Sequence, residues 1–147
     1  PDGGLTMART YRALAVFLSY PTAETAALIA PAMQTLAVDG IVPLALVRRL
    51  GPLAKELSQD DLYEVQSRYV DLFDRTRSLS LQLYEHVHGE SRDRGQAMVE
   101  LLKLYSSHGL ELTAKELPDH LPVFLEFLSQ RPAAEAACPR RHEPCRR

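Results

Sequence analysis

The densest run of chemically capable side chains is residues 84–95, YEHVHGESRDRG. His86 and His88, flanked by Glu85 and Glu90, are candidate metal ligands. On a helix, however, histidines converge on one ion at i, i+3 or i+4, and Gly89 implies a turn rather than a rigid platform. Two other chemistries suit these residues. One is an interhelical turn, with Ser91 capping the next helix and Asp93 favourably placed in its first turn. The other is a polar recognition edge, in which His86 and His88 pair with carboxylates and titrate near neutral pH. Twelve residues of nearly unbroken polar character exceed what a turn requires.

A second unusual run is Glu116-Leu117-Pro118-Asp119-His120-Leu121. An adjacent Asp and His suggest a catalytic dyad, but neighbours point in different directions on a helix, and no motif pairs a Ser or Cys nucleophile with them. Asp119 as the N-cap of a helix that follows Pro118 accounts for the aspartate. It does not account for His120, because a cation in a first helical turn opposes the helix dipole. Cys138, His142 and Cys145 supply three thiol and imidazole ligands where a structural zinc site wants four. No phosphate loop, GxGxxG, HExxH or GxSxG occurs. The sequence thus offers groups for recognition and no catalytic constellation, and it predicts no cofactor and no metal.

Helices must position these groups. Tyr11, Leu14, Phe17 and Leu18 keep a helical period that Tyr20-Pro21 stops. Thr22 caps a second segment through Leu28, Ile29, Met33 and Leu36, ended by Asp39-Gly40, with a kink or break expected at Pro31. A third segment, 44–57, is interrupted by Gly51-Pro52. Ser58 and Asp61 resemble a capping box ahead of a stripe formed by Leu62, Val65, Tyr69, Leu72 and Phe73. A short piece at 79–84 follows. Met98, Leu101, Leu102 and Tyr105 then line a helix closed by His108-Gly109, and Leu121, Phe124, Leu125 and Leu128 line the last. Strand alternation and internal repeats are absent from the sequence. The expected fold is an all-α, single-domain helical bundle of about six or more helices.

Composition narrows the function classes. The chain has 147 residues, is 46% hydrophobic and 24% charged, and has no Trp, so Leu, Ala and Val must build the core. No apolar run approaches the roughly 18 residues of a membrane span, and no secretory signal opens the chain. Both cysteines fall in the last ten residues, which fits a cytoplasmic protein. Residues 131–147 hold five arginines against two glutamates, so in a chain of net charge −2 the first 130 residues carry −5. That acidic body argues against nucleic-acid binding, although a small helical domain using the Arg-rich end on DNA or a protein partner is the alternative. We expect a helical domain over 1–130 and a disordered Arg/Pro/Ala-rich tail over 131–147.

Four stretches carry a resemblance: Leu18-Ser19-Tyr20-Pro21, the Tyr69/Leu72/Phe73 element, the run Glu85 to Gly95, and Leu117-Pro118-Asp119-His120-Leu121. In this order they resemble the NarJ-type molybdenum-cofactor assembly chaperones of nitrate reductase, within the TorD-like family of redox-enzyme maturation chaperones. The similarity spans roughly residues 8–130. Family members continue for several more helices, whereas this chain turns rich in Pro, Ala, Arg and Cys, and that departure points to a homodimer or domain swapping.

The resemblance implies a binding protein and not an enzyme. Its client is the apo catalytic subunit of nitrate reductase, whose N-terminal, twin-arginine-like segment is held until the molybdenum cofactor is inserted, before membrane docking. Molybdenum cofactor delivery proteins are a further implied partner; nucleic acid and direct membrane insertion are not. A groove between helices would bury an apolar peptide face on Tyr69, Leu72, Phe73, Leu121 and Phe124. Glu85, Glu90, Glu116 and Asp119 would receive its arginines, with His86, His88, His120, Arg92 and Arg94 on the same rim.

Overall fold

The computed structural model describes residues 3–89, 91–113 and 115–131. Glu90 lies outside the described residues, as do positions 132–147 of the expected tail with Cys138, His142 and Cys145. Eight α-helices run through the described residues: α1 (Gly3–Leu18), α2 (Ala23–Asp39), α3 (Leu44–Arg49), α4 (Gly51–Gln59), α5 (Leu62–Tyr69), α6 (Leu83–Val87), α7 (Arg92–Ser107) and α8 (Leu121–Ser129). A π-type turn, Val70–Asp74, prolongs α5, and a 3-10 turn, Arg77–Leu79, precedes α6. The one β feature among the described residues is an isolated antiparallel bridge between Gln82 and His120. The all-α architecture is as the periodicity predicts.

Two apolar clusters hold the helices. Ala13 and Phe17 of α1 meet Ile29, Ala32 and Leu36 of α2 and Val47 of α3. Leu101 and Tyr105 of α7 meet Val123 and Phe127 of α8. Each large side chain removed from water in this way contributes about 1.5–3 kcal/mol. Because α1 packs along both α2 and α8, it joins the two clusters into one body.

Of the kink or break expected at Pro31, the break does not occur, since α2 runs unbroken from Ala23 to Asp39. Pro31 is exposed, whereas Ile29 and Leu36 are 2% and 1% exposed, so the buried face packs despite the missing N–H. The start of α2 is as expected. Thr22 N–H donates to Thr25 Oγ1 at 2.8 Å and Thr25 N–H donates to Thr22 Oγ1 at 3.2 Å, a reciprocal box made of two threonines. Gly40, at φ +67°, turns the chain out of the helix in a conformation that glycine adopts without strain.

Two local expectations are corrected. Ser58 does not cap α5: it lies inside α4, where its hydroxyl donates to the Ala54 carbonyl at 2.7 Å, and Asp61 caps α5 by accepting from Glu64 N–H at 3.3 Å. The stripe ending in Leu72 and Phe73 is not one regular helix. Beyond Tyr69 the bonding widens, with Arg75 N–H reaching back five residues to the Val70 carbonyl at 3.1 Å. That extra residue per turn changes which side chains share a face.

Candidate functional site

The π-type turn, the 3-10 turn, α6 and the start of α8 enclose an open cleft of about 390 Å³. Its aromatic wall is Tyr69 and Phe73, packed edge to face with ring centroids 4.8 Å apart. Tyr69 is anchored from behind. Its hydroxyl donates to the Leu18 carbonyl at 2.8 Å, Tyr20 packs edge-on to its ring, and Gln66 Nε2 donates to the Pro21 carbonyl at 2.8 Å. The Leu-Ser-Tyr-Pro turn and the Tyr-x-x-Leu-Phe element are therefore one physical unit: side chains of α5 hold the backbone that ends α1. Burial pushes the Tyr69 phenol well above its ordinary pKa, with Asp74 and Glu116 adding in the same direction, so it stays a hydrogen-bond donor.

The polar wall combines Asp74, Arg75, Arg77, Ser80, Gln82, Glu85, Arg94 and His120. Arg75 is held by Asp71 at 2.8 Å. Arg94 and Glu85 pair loosely at 3.7 Å, with side chains 25% and 29% exposed. Asp74 makes no ion pair among the described residues, and Gln82 Oε1 is a buried acceptor without a partner there. Burial lowers the pKa of His120 below its ordinary 6.5, against the opposing pull of Glu116, Asp119 and Asp74. Its imidazole is therefore neutral at physiological pH, with Nδ1 lying 3.4 Å from Gln82 Nε2. The cleft offers apolar surface, acceptors and exchangeable charge pairs. Among the described residues no group of three His, Cys, Asp or Glu could hold a metal ion, and nothing in the cleft pairs a nucleophile with a base.

Of the rim and groove residues expected from sequence, the cleft brings together Tyr69, Phe73, Glu85, Arg94 and His120. Leu72, within the π-type turn, is exposed and does not line the cleft. Phe124 packs against the α7–α8 cluster, and Leu121 is half-buried, its N–H donating to the Leu81 carbonyl at 2.8 Å. His86 is exposed with Nε2 2.8 Å from the Ser80 carbonyl, and His88 packs edge-on to Tyr84. Arg92 and Glu116 are exposed outside the cleft lining.

Asp119 does not cap α8, whose N-cap is His120. It is 0% exposed and faces α6 instead: its carbonyl accepts from Leu83 N–H and its Oδ2 from Tyr84 N–H, both at 3.0 Å. Asp74, Arg75, Arg77, Ser80, Leu81 and Gln82 line the cleft without having been expected from the sequence. The charged string Asp74-Arg75-Thr76-Arg77, directly after an aromatic pair, was the available signal.

Comparison with known proteins gives a consistent picture. Residues 42–144 match the family described as nitrate reductase delta subunit. The nitrate reductase molybdenum cofactor assembly chaperone NarJ of Escherichia coli K12 is 47% identical over 119 residues, covering 81% of this chain and 50% of that protein. The nitrate reductase-like protein NarX of Mycobacterium tuberculosis H37Rv is 33% identical over 128 residues, covering 86% of this chain and 19% of that one. A crystal structure from Archaeoglobus fulgidus, assigned as a redox enzyme maturation protein, superimposes with a TM-score of 0.58 at 26% identity, over 84% of this chain and 70% of that chain. The chain spans about half the length of the Escherichia coli relative. No described helix is long and apolar enough to cross a membrane.

Proposed function

The chain belongs to the nitrate reductase delta subunit family, and from that premise we propose that it is a cytoplasmic assembly chaperone. It binds the N-terminal segment of the apo catalytic subunit of nitrate reductase and holds it for molybdenum cofactor insertion, before membrane docking. The single observation that carries this reading is the two-sided cleft, aromatic on Tyr69 and Phe73 and acceptor-rich on Asp74, Gln82 and Glu85, in a chain similar to a named assembly chaperone. An amphipathic leader lays its apolar side chains on the aromatic wall, where burial provides most of the affinity.

A leader arginine supplies five N–H donors in a planar fork, matched to carboxylate and amide oxygens. Asp74 is open to it, while Glu85 is shared with Arg94, so the incoming guanidinium exchanges for Arg94 and does not enter an empty site. Exchange of one loose pair for another changes the net charge balance little. That suits a holdase, whose client has to leave. The protein makes and breaks no covalent bond in this scheme, and the neutral His120 serves as a wall group.

Calorimetry with the client's N-terminal peptide, intact or with its arginines replaced by glutamine, tests the reading. The double variant Asp74→Asn/Glu85→Gln is expected to weaken binding of the intact peptide by about tenfold, the worth of one charge-assisted contact, and to leave the glutamine peptide unaffected. Equal affinity of wild type and double variant for the intact peptide would refute the acceptor wall. No binding by wild type at micromolar concentration would refute the client assignment.

A further inference from the structure

We propose that Asp119 is a positioning residue for the cleft: it fixes the start of α6, and through α6 the placement of Glu85 and Gln82, without touching the client. The inference rests on the cleft reading above for its functional half. Its structural half stands on geometry alone.

A helix leaves its first N–H groups without intrahelical partners, and they must find acceptors elsewhere. For α6 no side chain of its own segment does this, because Gln82 occupies the N-cap position without a capping bond. Asp119, thirty-five residues further along the chain, takes over the role. Its backbone carbonyl accepts from Leu83 N–H and its side chain from Tyr84 N–H, each at 3.0 Å. Leu121 N–H returns a bond to the Leu81 carbonyl at 2.8 Å, completing a short ladder around the Gln82–His120 bridge.

The capping residue is itself immobilised. Tyr105 Oη donates to the carbonyl of the adjacent Pro118 at 2.8 Å, and both Tyr105 and Asp119 are fully buried. The start of α6 is thus set by α7 and the entry to α8 rather than by its own five residues. Two of the cleft's acceptors flank this cap, Gln82 just before it and Glu85 within the helix. A carboxylate with no solvent access cannot form the direct ion pair with a client arginine that the sequence reading assigned to Asp119. Its contribution to binding therefore passes through the backbone of α6.

Asp119→Asn and Asp119→Ala separate the two roles, because an amide oxygen still accepts from Tyr84 N–H and a methyl group does not. Amide hydrogen exchange at Leu83 and Tyr84 and peptide affinity are measured on both variants and on wild type. Asp119→Ala is expected to speed exchange at Tyr84 by about fivefold or more, the cost of a lost cap, and to weaken peptide binding. Asp119→Asn is expected to restore most of both. Affinity lost equally in the two variants, with Tyr84 exchange as slow in Asp119→Asn as in wild type, would overturn the proposal in favour of a charge contact. Unchanged Tyr84 exchange in Asp119→Ala would overturn it outright. Should Asp119→Ala not fold, the Asp119→Asn comparison still decides, since a positioning role requires near-wild-type affinity there. Failure of wild type to bind the peptide would refute the client assignment, while the exchange data would still report on the cap.

Discussion

His120 shows how burial turns a common side chain into a conditional one. Desolvation lowers its pKa in the folded protein, so near and just below pH 6.5 the unfolded chain takes up a proton that the native state refuses. More protons bound in the unfolded state means that stability falls as pH falls through this range, until the native imidazole also protonates. The urea midpoint of wild type should therefore drop more between neutral and mildly acidic pH than that of His120→Gln; parallel profiles would show that other groups govern the acid limb. The sequence already marked His120 as unaccounted for by capping, and it does line the cleft. What could not be read was the inward direction of Asp119, because its partner Tyr84 N–H is brought alongside only by the tertiary fold.

Helix boundaries test how local rules compete. The corrected cap of α5 makes a sharp prediction: Asp61→Ala should cost about 0.5–1 kcal/mol in urea unfolding, whereas Ser58→Ala, which loses only back-bonds to the Ala54 and Lys55 carbonyls on an exposed helix face, should cost less than about 0.5 kcal/mol. Reversed magnitudes would restore the box expected from the Ser58/Asp61 spacing. Periodicity located α1, α2, α7 and α8 but not every buried face: in α8 the buried apolar side chains include Val123 and Phe127, with Leu121, Phe124, Leu125 and Leu128 only half-buried, and in α7 Leu102 is exposed. At Pro31 the helix stays unbroken, with Ile29 and Leu36 buried despite a local penalty, and at Val70–Asp74 the π-type turn interrupts the regular stripe, with Leu72 exposed and Phe73 on the cleft. Neither outcome is encoded within a single turn of the helix. At Pro31 the packing of α2 against α1 and α3 goes with the unbroken helix.

At the scale of the whole molecule, the cleft is assembled from segments far apart in the chain, and that explains why composition and charge pointed only to its general character. The net −5 of the first 130 residues favours encounter with a basic leader, yet the lining itself mixes Arg75, Arg77 and Arg94 with Asp74 and Glu85. Long-range attraction and local recognition are thus carried by different groups. The bridge between Gln82 and His120 also has a topological effect. With Leu81 bonded to Leu121 and Leu83 to Asp119, the intervening polypeptide is a closed loop whose two ends are stitched together main chain to main chain. A single protease cut at the exposed tip near Gly109 would sever the covalent path but leave the stitch and the α7–α8 cluster in place. The two pieces should co-elute on size exclusion and separate only in denaturant, so that the molecule tolerates a nick there much as a knotted cord tolerates a cut beyond its knot.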